Sequence, residues 1–147
     1  MNVSIWGPSF WFSLHTVTFT YPFYPNEIEK NKIQLFFESI QAILPCKICR
    51  DHYAENLKQF PIQTNSRAEL MQWLIQLHNS VNRNTGKREW SMEEVISKYE
   101  QIFGHPILLY PHTTELYKKQ NNEYNYTILY WFLLISIFLL IVLFYKK

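Results

Sequence analysis

Glycine occurs only three times in 147 residues, at Gly7, Gly86 and Gly104. That supply excludes a glycine-rich phosphate loop of either the Walker or the Rossmann type, so any nucleotide must be held by other means. Cysteine occurs twice, as Cys46 and Cys49, which is too few for a small secreted domain stapled by several disulfides. The first residues, Met1-Asn2-Val3-Ser4-Ile5-Trp6, carry neither a basic stretch nor a clean apolar run, and no signal peptide is expected. The net charge is +2 and no basic run is present. Nucleic acid is therefore not an expected partner.

What the chain does have is apolar and aromatic mass. Apolar residues make up 48% and aromatics 18%, enough to pack the core of one modest domain with an appendage. The appendage is at the C-terminal side. Residues 127–145 contain no charge and no proline, and Lys146-Lys147 follow. At helical rise this stretch spans roughly 28 Å, close to the thickness of a bilayer core. Its Leu, Ile, Val and Phe residues favour insertion by roughly 4–8 kcal/mol in total. Tyr126, Tyr130, Trp131 and Tyr145 flank it as interfacial aromatics do. A single transmembrane helix is expected over 127–145. The competing reading, a buried core helix, lacks another segment apolar enough to surround it.

Residues 1–103 read as one helical domain. Asn26, Ser66 and Ser91 each stand three residues before a glutamate, the spacing of a capping box. Ile33, Phe36, Phe37, Ile40 and Leu44 share one helical face, as do Leu70, Leu74, Leu77 and Val81, and then Val95, Tyr99 and Ile102. An earlier helix is expected from about Pro8 to Thr20, ending before Tyr21-Pro22. Another should begin at the cysteine pair after Pro45. No hairpin turn signal or sustained strand alternation appears. The class is all-α, a bundle of four to five short helices. Pro106, Pro111 and several Asn weaken the pattern over 104–126, which reads as a tether.

Cys46-Lys47-Ile48-Cys49 admits several chemistries. It fits half a zinc site, a thioredoxin-like redox pair, or chance. Zinc needs two more ligands, and only His52 and His78 are candidates; a thioredoxin fold needs βαβ units that this pattern lacks. No metal site is expected. Placement at a helix start favours redox work, because free amides and the helix dipole there stabilise a thiolate. Cys46 should be the more accessible, attacking sulfur, with Cys49 one turn deeper.

Three segments go further. They are Trp6-Gly7-Pro8-Ser9-Phe10-Trp11 with Leu14-His15-Thr16; Leu44-Pro45-Cys46-Lys47-Ile48-Cys49-Arg50-Asp51-His52; and Trp73-Leu74 with Leu77-His78-Asn79-Ser80-Val81-Asn82-Arg83 and Gly86-Lys87. In order and spacing they resemble the Erv/ALR family of FAD-linked sulfhydryl oxidases, and the short two-cysteine form resembles members encoded by large cytoplasmic DNA viruses. The likeness covers roughly residues 5–103. Trp11 and His15 are four apart and share a helix face, as do His78 and Asn82. Two helices thus offer flat rings and polar tips to one space.

The resemblance implies an FAD-binding helical bundle with Cys46 and Cys49 as the catalytic pair. It implies flavin contacts from Gly7, Trp11, His15, Tyr21, Cys49, His52, His78, Asn79, Val81, Asn82, Lys87 and Trp90. It implies a thiol-containing protein substrate or dithiol carrier, molecular oxygen as final acceptor with hydrogen peroxide as product, and a homodimer built on helical faces such as that of Phe36 and Phe37. Departures are visible. Pro8 stands where many relatives have Arg. Lys58 and Glu69 occupy the positions of an additional disulfide, and no shuttle cysteine pair is present. Electrons should therefore enter straight from a partner's thiols or from a separate carrier protein. With a C-terminal anchor and no leader, the enzyme domain is expected on the cytosolic side of a host or virion membrane. Two other readings compete: a membrane-anchored helical interaction or metal-binding protein, and a flavin-free thiol–disulfide carrier.

Overall fold

The computed structural model describes residues 2–111 and 130–135. Five helices follow one another: α1 Val3–Thr20, α2 Glu27–Ile43, α3 Lys47–Gln59, α4 Arg67–Asn84 and α5 Met92–Phe103. Among the described residues there is no strand.

The helix starts follow cap chemistry. Asn26 and Ser91 form complete capping boxes with Glu29 and Glu94. Ser66 Oγ accepts from Glu69 N–H, but the Glu69 carboxylate turns instead to Asn65 Nδ2 at 3.1 Å, so only half of the expected box forms there. The N-terminus of α1 differs from expectation. The helix begins at Val3, because Asn2 Oδ1 accepts from both Ser4 N (3.0 Å) and Ser4 Oγ (2.8 Å). Pro8 therefore lies inside α1, where it leaves the Ser4 carbonyl without its helical donor. The stop at Tyr21 is as expected, with its backbone extended ahead of Pro22. Gly104, in the left-handed conformation at φ 71°, ends α5.

α4 is the central element. It buries Leu70, Trp73, Leu74 and Leu77 against Leu14, Phe37, Ile40, Leu44 and Tyr53 from α1, α2 and α3. Its other side buries Met71 and Ile75 against Phe19, Val95 and Tyr99 from α1 and α5. Buried polar tips are tied to main-chain carbonyls: Trp73 Nε1 donates to Phe60 O at the end of α3 and Tyr53 Oη to Phe37 O within α2, both at 2.9 Å. Two expected core positions are corrected. Phe36 and Phe37 do not form one surface: Phe37 is fully buried while Phe36 is exposed. Ile102 is exposed, and Phe103 packs in its place.

The compact unit runs through Tyr110, past the boundary at 103 expected from the proline-rich pattern. Ile107 is buried in the α4–α5 core, its N–H donates to Glu100 Oε1 at 2.8 Å, and Arg67 Nη1 donates to Leu108 O at 3.1 Å. The rest of the expected tether lies almost wholly outside the described residues. So does most of the expected membrane helix: only 130–135 of it are described, and these are helical and exposed. Among the described residues no helix is long and apolar enough to cross a membrane.

Candidate active site

The site starts at the turn between α2 and α3. Cys46 is the N-cap of α3, and its Sγ accepts the N–H of Cys49 at 3.3 Å. A thiol in a position usually held by Ser or Asp meets the free amides of the first turn. No acidic side chain lies in that turn to oppose a negative sulfur. The two sulfurs are held unequally. The Cys49 thiol, followed by the Cys49 backbone N–H, pulls Cys46 below the ordinary thiol range. Burial, then the neighbouring Cys46, pushes Cys49 up to about 11. In the dithiol, Cys46 is the sulfur that gives up its proton more readily.

Behind Cys49 lies a cavity of about 220 Å³. α1 contributes Trp6, Gly7, Phe10, Trp11 and Leu14; α2 and its cap contribute Ile40 and Leu44; α3 contributes Cys49, His52, Tyr53 and Asn56; Val81, Asn84 and Thr85 close the far side. Cys46 is not on this wall. The pair thus faces two ways, one sulfur toward the cavity and one toward the surface.

Beside the cavity, α1 and α4 meet through stacked rings. Trp11 and His78 are parallel, with centroids 3.9 Å apart and planes 6° apart. His15 Nε2 and His78 Nδ1 are 3.1 Å apart, so one must donate and the other accept. Burial, reinforced by His78 and then Lys98, lowers His15 to about 3. Burial, then Lys87 and Lys98, lowers His78 to about 4. Both imidazoles are neutral in ordinary conditions, which lets them share one hydrogen bond. His15 Nδ1 and Trp6 Nε1 are buried with no partner.

Of the residues expected to contact flavin, Gly7, Trp11, Cys49, His52 and Val81 line the cavity, and His15 and His78 stand directly behind Trp11. The others are placed differently. Asn79 spends both ends of its amide on the Trp90 backbone, Oδ1 accepting from Trp90 N at 3.0 Å and Nδ2 donating to Trp90 O at 2.8 Å. It acts as a clamp that holds the loop after α4. Asn82 is buried, and its carbonyl accepts Lys87 N–H at 2.8 Å. Trp90 carries Arg88 and Lys98 against its ring at 4.6 and 4.9 Å. Tyr21 is not brought to the cavity. Its hydroxyl donates to Thr64 O at 2.9 Å, and its ring packs in the core. Trp6, Phe10 and Leu14, within the first segment but not among the expected flavin contacts, also line the cavity, as does Asn56. Helical spacing could have found them, since 6, 10 and 14 follow one another by four and Asn56 lies two turns after Cys49. Among the described residues no group of three or more His, Cys, Asp or Glu side chains could hold a metal ion.

The fold and site define a small helical bundle with a cysteine pair of unequal acidity at the edge of an aromatic cavity. The Erv1 / Alr family matches residues 8–100, and the chain belongs to that family. It is 36% identical over 104 residues to a probable FAD-linked sulfhydryl oxidase of Acanthamoeba polyphaga mimivirus, covering 69% of this chain and 73% of that one. It is 35% identical over 97 residues to the FAD-linked sulfhydryl oxidase of African swine fever virus (isolate Pig/Kenya/KEN-50/1950), covering 65% and 81%. The chain spans about half the length of the Arabidopsis thaliana relative ERV1, at 33% identity over 65% of this chain and 50% of that one. Among solved structures, the FAD-binding domain of Erv1 from Saccharomyces cerevisiae superposes with a TM-score of 0.65 at 28% identity, covering 69% of this chain and 96% of that one.

The histidine pair makes stability depend on pH. Both folded-state values lie below the ordinary 6.5, so the unfolded chain takes up protons first as pH falls. The stabilisation is whole above about 6.5 and is lost on acidification toward 4 and below. The slope is at most about 1.4 kcal/mol per pH unit for each histidine. Urea unfolding should show a falling midpoint between pH 7 and pH 5, and His15→Phe should flatten that fall by about half. An equal slope in the variant would remove His15 as a cause.

Proposed function

We propose that the chain is an FAD-dependent thiol oxidase that forms disulfides in partner proteins. The observation that carries this reading is the Cys46–Cys49 pair at the start of α3, with Cys49 on the wall of an aromatic cavity. Family membership supports it, as do the relatives named FAD-linked sulfhydryl oxidases.

The residues present suit a flat, partly polar ring system. The walls are mostly apolar and aromatic, while His52, Asn56 and Asn84 supply polar atoms. Two buried donor or acceptor atoms, on Trp6 and His15, lack partners within the chain. Gly7 adds a further sign. A Cβ there would meet only Val3 Cγ2, at an ordinary 3.5 Å, so packing within the chain gives no reason for a helix-weakening glycine. Close approach of a ligand gives one. Gly7, Trp11, His52 and Val81 would hold the ring system, with His15 and His78 behind it. Lys87 and Lys98, whose charges reach His78, suit the phosphates. When bound, FAD supplies a two-electron acceptor that passes electrons on to oxygen, giving hydrogen peroxide.

The chain's own part is thiol exchange. A substrate thiolate attacks Cys46 Sγ of the disulfide. The Cys46–Cys49 bond breaks, a mixed disulfide forms, and Cys49 leaves as the thiolate facing the cavity. A second substrate thiolate attacks the substrate sulfur and releases Cys46. The substrate ends as a disulfide and the pair as a dithiol. A lowered Cys46 suits its role as leaving group in the second attack, since a more acidic thiol leaves faster; the raised Cys49 slows its own departure in the first.

Purified protein should be yellow. Cys49→Ser should keep flavin absorbance while oxygen consumption with a dithiol falls at least 100-fold. A colourless, folded wild type that takes up no added FAD would falsify this reading.

The dimer and the membrane anchor are parts of the same proposal. α2 leaves Ile28, Leu35, Phe36 and Ile43 exposed, an apolar face suited to a second copy. Leu35→Glu should convert a dimer to a monomer in analytical ultracentrifugation; a wild-type monomer would remove the dimer. The uncharged run over 127–145 supports a C-terminal anchor, with the helical unit on the cytosolic side. Protease added to intact membrane vesicles should then digest the helical unit, and its protection would reverse the orientation.

A further inference from the structure

The turn that carries Cys46 is held by one residue. Pro45 has no N–H to offer, so the α2–α3 connection loses a donor at its centre. The carbonyls on either side of Pro45 are both taken by Arg50. Its main-chain N–H donates to Cys46 O at 3.0 Å, and its Nη1 reaches across six residues to Leu44 O at 2.5 Å. α2 has no basic residue in its own last turn, so this guanidinium from the next helix is also the cation at the negative end of α2. Leu44 is buried and shares the cavity wall with Cys49. Arg50 itself directly follows Cys49, whose N–H binds Cys46 Sγ. The Arg50 side chain thus ties the first turn of α3 to the end of α2 across the proline turn, while its main-chain bond to Cys46 O is the ordinary helical one.

We infer that Arg50 is a positioning residue of the redox pair: it clamps the Leu44-Pro45-Cys46 turn so that Cys46 stays within closing distance of Cys49 when the disulfide opens. The inference rests on the reading of that pair as redox-active. Closure from the dithiol depends on how often one sulfur meets the other, an effective concentration that a fixed turn raises. Freed from Arg50, the turn has more conformations, and closure becomes less favourable. The charge of Arg50 acts in the opposite sense, because a cation near the sulfurs favours the open, thiolate form. The sign of the effect therefore separates clamping from simple electrostatics.

The test is the closure equilibrium of the full-length protein in glutathione buffers. Oxidised glutathione accepts two electrons from the dithiol, leaving the protein disulfide and two reduced glutathione molecules. Free thiols are counted by alkylation. Arg50→Met keeps the apolar stem and loses the fork. Its closure constant should fall about tenfold, the scale of a lost hydrogen bond from a charged donor. Arg50→Lys, with one compact donor on a shorter arm, should lose less. A wild-type or higher constant in Arg50→Met, with unchanged helical circular dichroism, overturns the inference. If Arg50→Met does not fold, a wild-type constant in Arg50→Lys overturns it. A wild-type protein that forms no Cys46–Cys49 disulfide in any buffer defeats the redox reading itself, an outcome distinct from failure of the clamp.

Discussion

Everything in this unit hangs on the burial of α4 on two sides. One flank carries Leu70, Trp73, Leu74 and Leu77, the other Met71 and Ile75, and all are almost wholly removed from water. A helix buried this way must also handle its polar residues inside the protein, since unpaired polar groups there are costly. Ser80 does so by donating to Asn56 Oδ1 of α3 at 2.9 Å. Asn79 does so by clamping the Trp90 backbone, and His78 by pairing with His15. The packing demand on α4 thus fixes α3, the loop before α5 and the ring stack on α1.

That constraint leads to the site. The Trp11–His78 stack and the neutral histidine pair give the cavity a rigid rear support. The front comes from α3, which α2 and α4 hold through Phe37, Tyr53, Asn56 and Ser80. Cys49 belongs to the inner face of α3 and Cys46 to its cap. Their unequal acidity follows from geometry: Cys46 meets the Cys49 thiol and free amides, while Cys49 meets apolar walls. One cysteine pair thus borders both the cavity and the surface.

Much of this was legible in the residue pattern. Caps at Asn26, Ser66 and Ser91, the stop before Pro22 and the helix start at the cysteine pair all follow from local hydrogen-bond chemistry, which a short window contains. Local chemistry also explains the misses. Asn2 caps α1 ahead of Pro8 because its side chain accepts from Ser4, and the helix tolerates the one hydrogen bond that Pro8 removes. The Glu69 carboxylate prefers Asn65 because an adjacent amide competes for it. Residues 104–110 contain prolines and few periodic positions, yet Ile107 docks into the α4–α5 core, a contact no local window reveals.

The sequence by itself determined that the domain is helical, that its two cysteines sit three apart at a helix start, and that Trp11 shares a helix face with His15 as His78 does with Asn82. Backbone periodicity and cap preference are properties of neighbouring residues, so they can be read in order. Only the tertiary structure decided which sulfur faces the cavity, that Phe37 is core while Phe36 is surface, that Tyr21 turns to Thr64 rather than to the cavity, and that Arg50 spans the proline turn. Each of these depends on which helix faces which across the core, a relation set by packing between residues far apart in the chain.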